Sequence, residues 1–124
     1  MVLKAYFLKE KEFGDMQKQS RNESQILKNL SHPSILRFIT KVETDELLIM
    51  ATEFVPGRNL EQILQEKNSK GTVFSEIQVA SIACQLLQAI AYIHAQGIVH
   101  LKVQPDNVIV GSDGRVTLID FGAA

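Results

Sequence analysis

Apolar and polar positions divide the first half of the chain into a strand, a helix and a hairpin. Residues 2–8 form a short run of β-branched, aromatic and aliphatic side chains, which predicts a strand that contains one charge, Lys4. Residues 13–30 pass from a polar stretch into an apolar stripe at helical spacing, which predicts a helix. Two further apolar runs, residues 35–41 and 47–52, flank a polar segment and predict an antiparallel hairpin.

Two helices are predicted from capping signals in the second half. Asn59 is a suitable N-cap for a short helix over residues 59–66. Ser75 and Gln78 have the spacing of a capping box, and apolar residues follow them at intervals of three and four. We therefore expect a long core helix that begins after Ser75 and ends near Gly97.

The polar side of this long helix contains Gln85 and Gln88, which we expect to form a solvated face. Cys84 is the single cysteine, so an internal disulfide is excluded, and we expect its thiol to pack as a small hydrophobe. Neither prediction assigns chemistry to the helix.

A second hairpin is predicted near the end of the chain. The short apolar runs at residues 108–110 and 116–119 are joined by a Gly-Ser-Asp-Gly segment suited to a tight turn. Polar residues precede the first strand and follow the second. Both ends of the hairpin therefore bring polar groups to one edge, which is a common way to build a site on a rigid scaffold.

Composition narrows the class of protein. The 124 residues are enough for one domain or part of one, and 45% of them are hydrophobic. Thirteen basic and fourteen acidic residues leave almost no net charge, so we expect no nucleic-acid partner and no anionic membrane partner. No apolar run nears the ~20 residues that cross a bilayer, and no secretory signal is recognisable, so the cytoplasm is the expected location.

The strongest motifs lie around the second hairpin. Asp120-Phe121-Gly122 resembles the metal-binding DFG motif of eukaryotic protein kinases. The segment at residues 100–107 resembles the catalytic loop of the same family, and it precedes Asp120 by the interval that the family uses. The resemblance covers the whole chain and implies a partial α+β fold with two lobes. Residues 1–52 would belong to the small lobe, 53–57 to the hinge and 58–124 to the start of the large lobe.

The resemblance also implies a set of residues for ATP and Mg²⁺. Lys4 falls where the family has its strand lysine, and Glu23 falls where it has the glutamate that pairs with this lysine. In the family this pair orients the lysine toward the α- and β-phosphates. Asn107 and Asp120 occupy the positions of the metal ligands, so they would hold the Mg²⁺.

The adenine ring would lie at the hinge by the same resemblance. Thr52 takes the gatekeeper position, and the backbones of Glu53 and Val55 would contact the adenine edge. Val2 and Ile109 would enclose the ring from its two faces. Four residues would also stack as a spine between the lobes: Leu27, Phe38, His100 and Phe121.

The catalytic loop departs from the family pattern at three positions. Leu101 replaces the usual Arg, Lys102 replaces the Asp that accepts the substrate hydroxyl proton, and Gln104 replaces the Lys that steadies the γ-phosphate. General-base assistance is typically worth ~10²–10⁴ in rate, and a protonated lysine cannot supply it. Two alternatives keep a role for Lys102. A lowered pKa would let it act as the base, or its charge would substitute for the lysine that is lost at position 104.

Three functions follow from these observations. The first is a pseudokinase segment that binds ATP and Mg²⁺, transfers phosphate poorly or not at all, and acts as a scaffold or regulatory module. The second is an active Ser/Thr-type kinase seen as a fragment, and the third is a truncated product without independent function. The family's Gly-rich loop has no counterpart here, which weakens the expected ATP binding. If residues 1 and 124 are true termini, exposed apolar faces favour a protein partner; the oligomeric state is left open.

Overall fold

The computed structural model describes residues 1–8 and 14–124, and its first layer is a three-stranded antiparallel sheet. β1 (Val2–Phe7) and β2 (Phe38–Glu43) both pair with β3 (Leu47–Thr52), so β3 is the central strand. The predicted hairpin is confirmed, but its first strand is shifted toward the C-terminus. This shift arises because Ile35 pairs elsewhere, in a parallel bridge with Leu118.

The bridge between Ile35 and Leu118 connects the two layers of the fold. β4 (Arg58–Asn59), β5 (Val108–Val110) and β6 (Val116–Leu118) form a second antiparallel sheet in that order. The Leu118 amide donates to the Ser34 carbonyl (2.8 Å), and the Leu36 amide donates to the Leu118 carbonyl (3.1 Å). The strand that leads into Asp120 is therefore hydrogen-bonded to the segment that leads into β2.

Helix α1 (Gly14–Lys28) packs on the first sheet. The predicted start at residue 13 lies outside the described residues. Ser20, Glu23, Ser24 and Leu27 are buried, and their spacing of three, one and three places them on one helical face. Glu23 is consequently directed inward by the same periodicity that buries Leu27.

The capping boxes predicted for α2 (Leu60–Ser69) and α3 (Glu76–Ala95) are both present. In each, the cap side chain accepts from the N3 amide while the N3 glutamine accepts from the cap amide. Helix α2 extends three residues beyond its predicted end at residue 66. An i, i+4 ion pair between Glu66 and Lys70 (2.8 Å) spans this extra length.

The expectation that α3 is a core helix is wrong for most of its first half, where Ile82 is the apolar residue that packs against the core. Its buried residues are Ala89 and Ile93, both in its second half, and the helix packs on β6. Ile77 is 83% exposed and Leu87 is 63% exposed, because no described element covers that side. The packing predicted for Cys84 is also wrong, since the residue is exposed.

By length and composition, α3 is apolar enough to cross a bilayer, which corrects the expectation that no run approaches that length. It is the one such helix among the residues that the structure describes. One helix is weak evidence for a membrane span, because core helices pass the same test.

Gln85 is not part of a solvated face, which corrects the prediction for the polar side of α3. Its amide oxygen accepts from the Val116 amide (2.9 Å), and its amide nitrogen donates to the Gly114 carbonyl (2.9 Å). Gln88, one turn later, contacts only Cys84 at 3.7 Å within the described chain. The Gln85 side chain therefore hydrogen-bonds the β5–β6 hairpin to α3.

Candidate nucleotide-binding site

Glu23 lies at the centre of a hydrogen-bonded group that joins β1, α1 and the segment after β6. Its carboxylate is 2% exposed and accepts from Lys4 Nζ at Oε1 (3.2 Å) and from Tyr6 Oη at Oε2 (3.2 Å). The Phe121 amide also donates to Oε1 (3.4 Å). Lys4 and Tyr6 reach one carboxylate because alternate residues of a strand share a face.

Burial, followed by the negative charge of Glu23, raises the pKa of Tyr6 above its ordinary value. The Tyr6 hydroxyl is therefore protonated over the physiological range and donates its hydrogen bond to Glu23. Tyr6 is absent from the residues predicted for the site, although its position two residues after Lys4 was a usable signal.

Asp120 adopts a left-handed backbone conformation, with φ 58°. Asp tolerates this region better than most residues, because its short polar side chain can hydrogen-bond locally. Here the Gly122 amide donates to Asp120 Oδ1 (3.2 Å). The turn buries Phe121 completely and leaves Asp120 at the edge of a cavity.

His100 and Phe121 form the part of the predicted spine that is in direct ring contact. Their rings meet edge to face with centroids 4.7 Å apart, and both side chains are buried. Leu27 is also buried in the common core, and the half-buried Phe38 packs against it. Leu27, Phe38 and Phe121 therefore share one apolar cluster, which His100 contacts through Phe121.

The segment predicted as the catalytic loop is held by hydrogen bonds within itself and by a contact with the Ile119 carbonyl. His100 Nε2 lies 3.0 Å from the Ile119 carbonyl, and His100 Nδ1 accepts from the Lys102 amide (3.1 Å). Asn107 Nδ2 donates to the Lys102 carbonyl (2.9 Å). The side chains of Lys102 and Gln104 are exposed, so the structure places no buried base at either position.

A cavity of about 200 Å³ lies between the two sheets. Seven predicted site residues line it: Val2, Lys4, Thr52, Glu53, Val55, Ile109 and Asp120. Glu23 lies behind Lys4, and Lys102, Gln104 and Asn107 also lie outside the cavity wall. The volume is below the ~300–1,000 Å³ of typical ligand pockets, so it suits a flat ring with its substituents extending outward.

The backbone of the predicted hinge has groups that suit the edge of a purine. The Glu53 amide donates to the Arg37 carbonyl (3.0 Å), and the Glu53 carbonyl accepts from no backbone amide within the described residues. The Val55 amide has no backbone partner within the described residues. Glu53 Oε1 accepts from the Arg37 amide (3.1 Å) and lies 3.7 Å from Arg115, so its side chain is turned away from an adenine role.

Asn107 and Asp120 fit the ligand set that Mg²⁺ requires. The Ile119 amide donates to the Asn107 carbonyl (2.9 Å), which ties Asn107 to the residue before Asp120. The Asn107 amide nitrogen is used by the Lys102 carbonyl, so Oδ1 is the atom offered to a metal. Among the described residues no group of three His, Cys, Asp or Glu forms a self-sufficient metal site. Mg²⁺ commonly uses one or two protein ligands with substrate phosphates.

Comparison with known proteins agrees with this geometry. The sequence profile of the protein kinase domain matches residues 1–124, so the chain belongs to the protein kinase domain family. It is 39% identical to sperm motility kinase Z of Mus musculus over 101 residues, which cover 82% of this chain and 20% of that protein. It is 36% identical to mitogen-activated protein kinase kinase kinase 3 of Arabidopsis thaliana over 116 residues, covering 94% and 17%.

Serine/threonine-protein kinase 36 of Pongo abelii is 34% identical over 114 residues, which cover 90% of this chain and 8% of that protein. The chain thus spans a fifth or less of the length of these three relatives. The partial α+β kinase fold expected from the motifs is confirmed. The division into lobes and hinge, and the ligand roles of the site residues, stay predictions.

Proposed function

We propose that this chain is the nucleotide-binding part of a kinase domain that binds ATP with Mg²⁺, transfers phosphate poorly or not at all, and acts as a scaffold or regulatory module. The observation that supports it is the contrast between two parts of one site. Lys4 and Glu23 are paired at 3.2 Å beside a ring-sized cavity, whereas the exposed Lys102 stands where the family has its base.

The retained residues account for binding. Lys4 would meet the phosphates from the cavity wall, and Asn107 with Asp120 would hold Mg²⁺, which neutralises phosphate charge when bound. The Glu53 carbonyl and the Val55 amide would hydrogen-bond the purine edge. These roles require only charge, hydrogen bonding and position, and none of them requires residue 102.

Phosphate transfer requires more than binding, because a hydroxyl nucleophile must be oriented and must lose its proton. A lysine ammonium has three donors and no acceptor, so a protonated Lys102 cannot accept that proton. Gln104 carries no charge to steady the γ-phosphate. We therefore expect at least the ~10²–10⁴-fold loss that removal of a general base produces.

Binding is tested by the thermal unfolding midpoint of the chain in increasing MgATP. A ligand at 100 times its Kd stabilises the native state by about 2.7 kcal/mol, a rise of about 10 °C for a domain of this size. Lys4→Ala and Asp120→Asn should remove most of the rise, and asparagine tolerates the left-handed backbone at position 120. The matched controls are Lys41→Ala and Asp106→Asn, at exposed positions outside the cavity. If MgATP still raises the unfolding midpoint of Lys4→Ala and of Asp120→Asn, the proposed site is wrong.

An active kinase is the second candidate, favoured by the retained Asp120 and Asn107 and by the kinase names of the relatives. Incorporation of labelled γ-phosphate by the full-length protein distinguishes the two. Under our proposal, transfer is near background and rises in the Lys102→Asp, Gln104→Lys double variant. Efficient transfer that Lys102→Ala abolishes supports the active kinase instead. A cytoplasmic location and a protein partner remain part of the proposal.

A further inference from the structure

The position of Lys4 depends on Glu23, and the structure shows that Glu23 depends on more than Lys4. A nearly completely buried carboxylate is costly unless several donors replace the water that it loses. Lys4 is 40% exposed, and an ion pair made by a partly exposed lysine contributes little stability by itself. A further element must hold the carboxylate in one orientation.

Tyr6 meets that requirement. Its hydroxyl is the one donor to Glu23 Oε2 within the described residues, whereas Lys4 and the Phe121 amide both donate to Oε1. Holding Oε2 fixes the rotation of the carboxylate plane, so that Oε1 faces the other two donors. Tyrosine suits this task because its rigid ring has only two side-chain torsions and loses little entropy when it is ordered.

We propose that Tyr6 is a positioning residue for the nucleotide site, whose hydroxyl sets the Glu23 carboxylate so that Lys4 and the Phe121 amide are in place before nucleotide binds. Phe121 follows Asp120 directly, so the same contact links the phosphate-binding lysine to the metal-binding aspartate. The effect on nucleotide affinity rests on the proposed function. The effect on the free chain does not.

The first test uses the chain without nucleotide. Amide hydrogen exchange at Phe121, measured by NMR and corrected for global stability, should accelerate about tenfold in Tyr6→Phe, because hydrogen bonds to charged groups contribute more than neutral ones. The control is Tyr92→Phe, which removes the hydroxyl of the chain's other tyrosine. Tyr92 Oη accepts from the Ser31 amide (2.9 Å), away from Glu23. Unchanged exchange at Phe121, or equal acceleration in both variants, overturns the proposal.

The second test measures the Kd for MgADP by calorimetry. Tyr6→Phe should weaken binding roughly fivefold to tenfold, and Tyr92→Phe should leave it unchanged. In a Lys4→Met background, Tyr6→Phe should have a smaller effect, because only the route through the Phe121 amide to Asp120 remains. Faster exchange with unchanged affinity overturns the positioning role and leaves a structural one. If the unmodified chain binds no MgADP, the proposed function fails and the exchange result alone decides on Tyr6.

Discussion

Replacing Gln85 with alanine should loosen the β5–β6 hairpin and destabilise the chain. The Gln85 side chain accepts from the Val116 amide and donates to the Gly114 carbonyl, both at 2.9 Å. This hairpin carries Ile109 on the cavity wall and leads into Asp120. Gln85 therefore connects helix α3 to the candidate site without touching it.

The loss of unfolding free energy in Gln85→Ala depends on whether the Val116 amide and the Gly114 carbonyl can bond to water instead. Val116 is fully buried, so its amide would lose its acceptor without access to water, at a cost of ~1–3 kcal/mol. Gly114 is exposed, and its carbonyl would bond to water instead. The higher helix propensity of alanine offsets a few tenths of a kcal/mol of this cost. The expected net loss is about 2 kcal/mol.

Urea unfolding measures this loss directly. With a slope of ~1–3 kcal/mol per molar, the transition midpoint should fall by about 1 M in Gln85→Ala. Gln85→Glu keeps an acceptor for the Val116 amide and loses the donor to Gly114, so its effect should be intermediate. Gln88→Ala is the matched control and should change the midpoint little, because Gln88 makes only the weak contact with Cys84. Equal midpoints for the alanine variants at positions 85 and 88 would refute the reasoning.

Three further predictions concern single groups. Thr117→Val should stabilise the chain by about 1 kcal/mol, since the buried Thr117 hydroxyl has no partner in the described chain, whereas Thr117→Ser should destabilise it; urea midpoints in the opposite order would contradict this. Hydrogen bonds from Lys70, then from Arg58, lower the pKa of Glu66 to about 2, so stability from this group is present above pH 4.5 and is lost as the pH falls through 2. An NMR titration of Lys70→Gln should show a higher Glu66 pKa, and no change would argue against the pair. Leu101→Asn should raise the thermal midpoint, because Leu101 has φ 67° and is 73% exposed; a lower midpoint would show that no strain is relieved.

Local signals were the most reliable part of the prediction. The capping boxes at Asn59 and Ser75 are confirmed, because each depends on residues within one turn of helix. The hairpin at residues 108–119 is also confirmed, because its turn depends on the adjoining Gly-Ser-Asp-Gly segment. Strand and helix ends were less accurate, as at Ile35 and Ser69, because tertiary pairing and side-chain ion pairs decide them.

The order of motifs along the chain was sufficient to predict the family, which the match to the protein kinase domain confirms. The register of Lys4, Glu23 and Asp120 follows from that order. In the structure Glu23 accepts from Lys4 and from the Phe121 amide, while Lys4 and Asp120 line the cavity. The exchange of a general base for Lys102 is likewise visible in the sequence alone. The family prediction succeeded because residue identity at a family position is itself a statement about chemistry. The ligand roles of the site residues and the loss of transfer at Lys102 stay predictions.

Only the tertiary structure decided which polar side chains act across elements and which apolar ones are covered. Tyr6 hydrogen-bonds Glu23, and Gln85 hydrogen-bonds the β5–β6 hairpin, because a second element lies opposite each of them. Cys84 and Ile77 are exposed although their helix is apolar, because no described element lies over that side. Periodicity predicts which face of an element is apolar, whereas burial and hydrogen bonding depend on what that face meets in three dimensions.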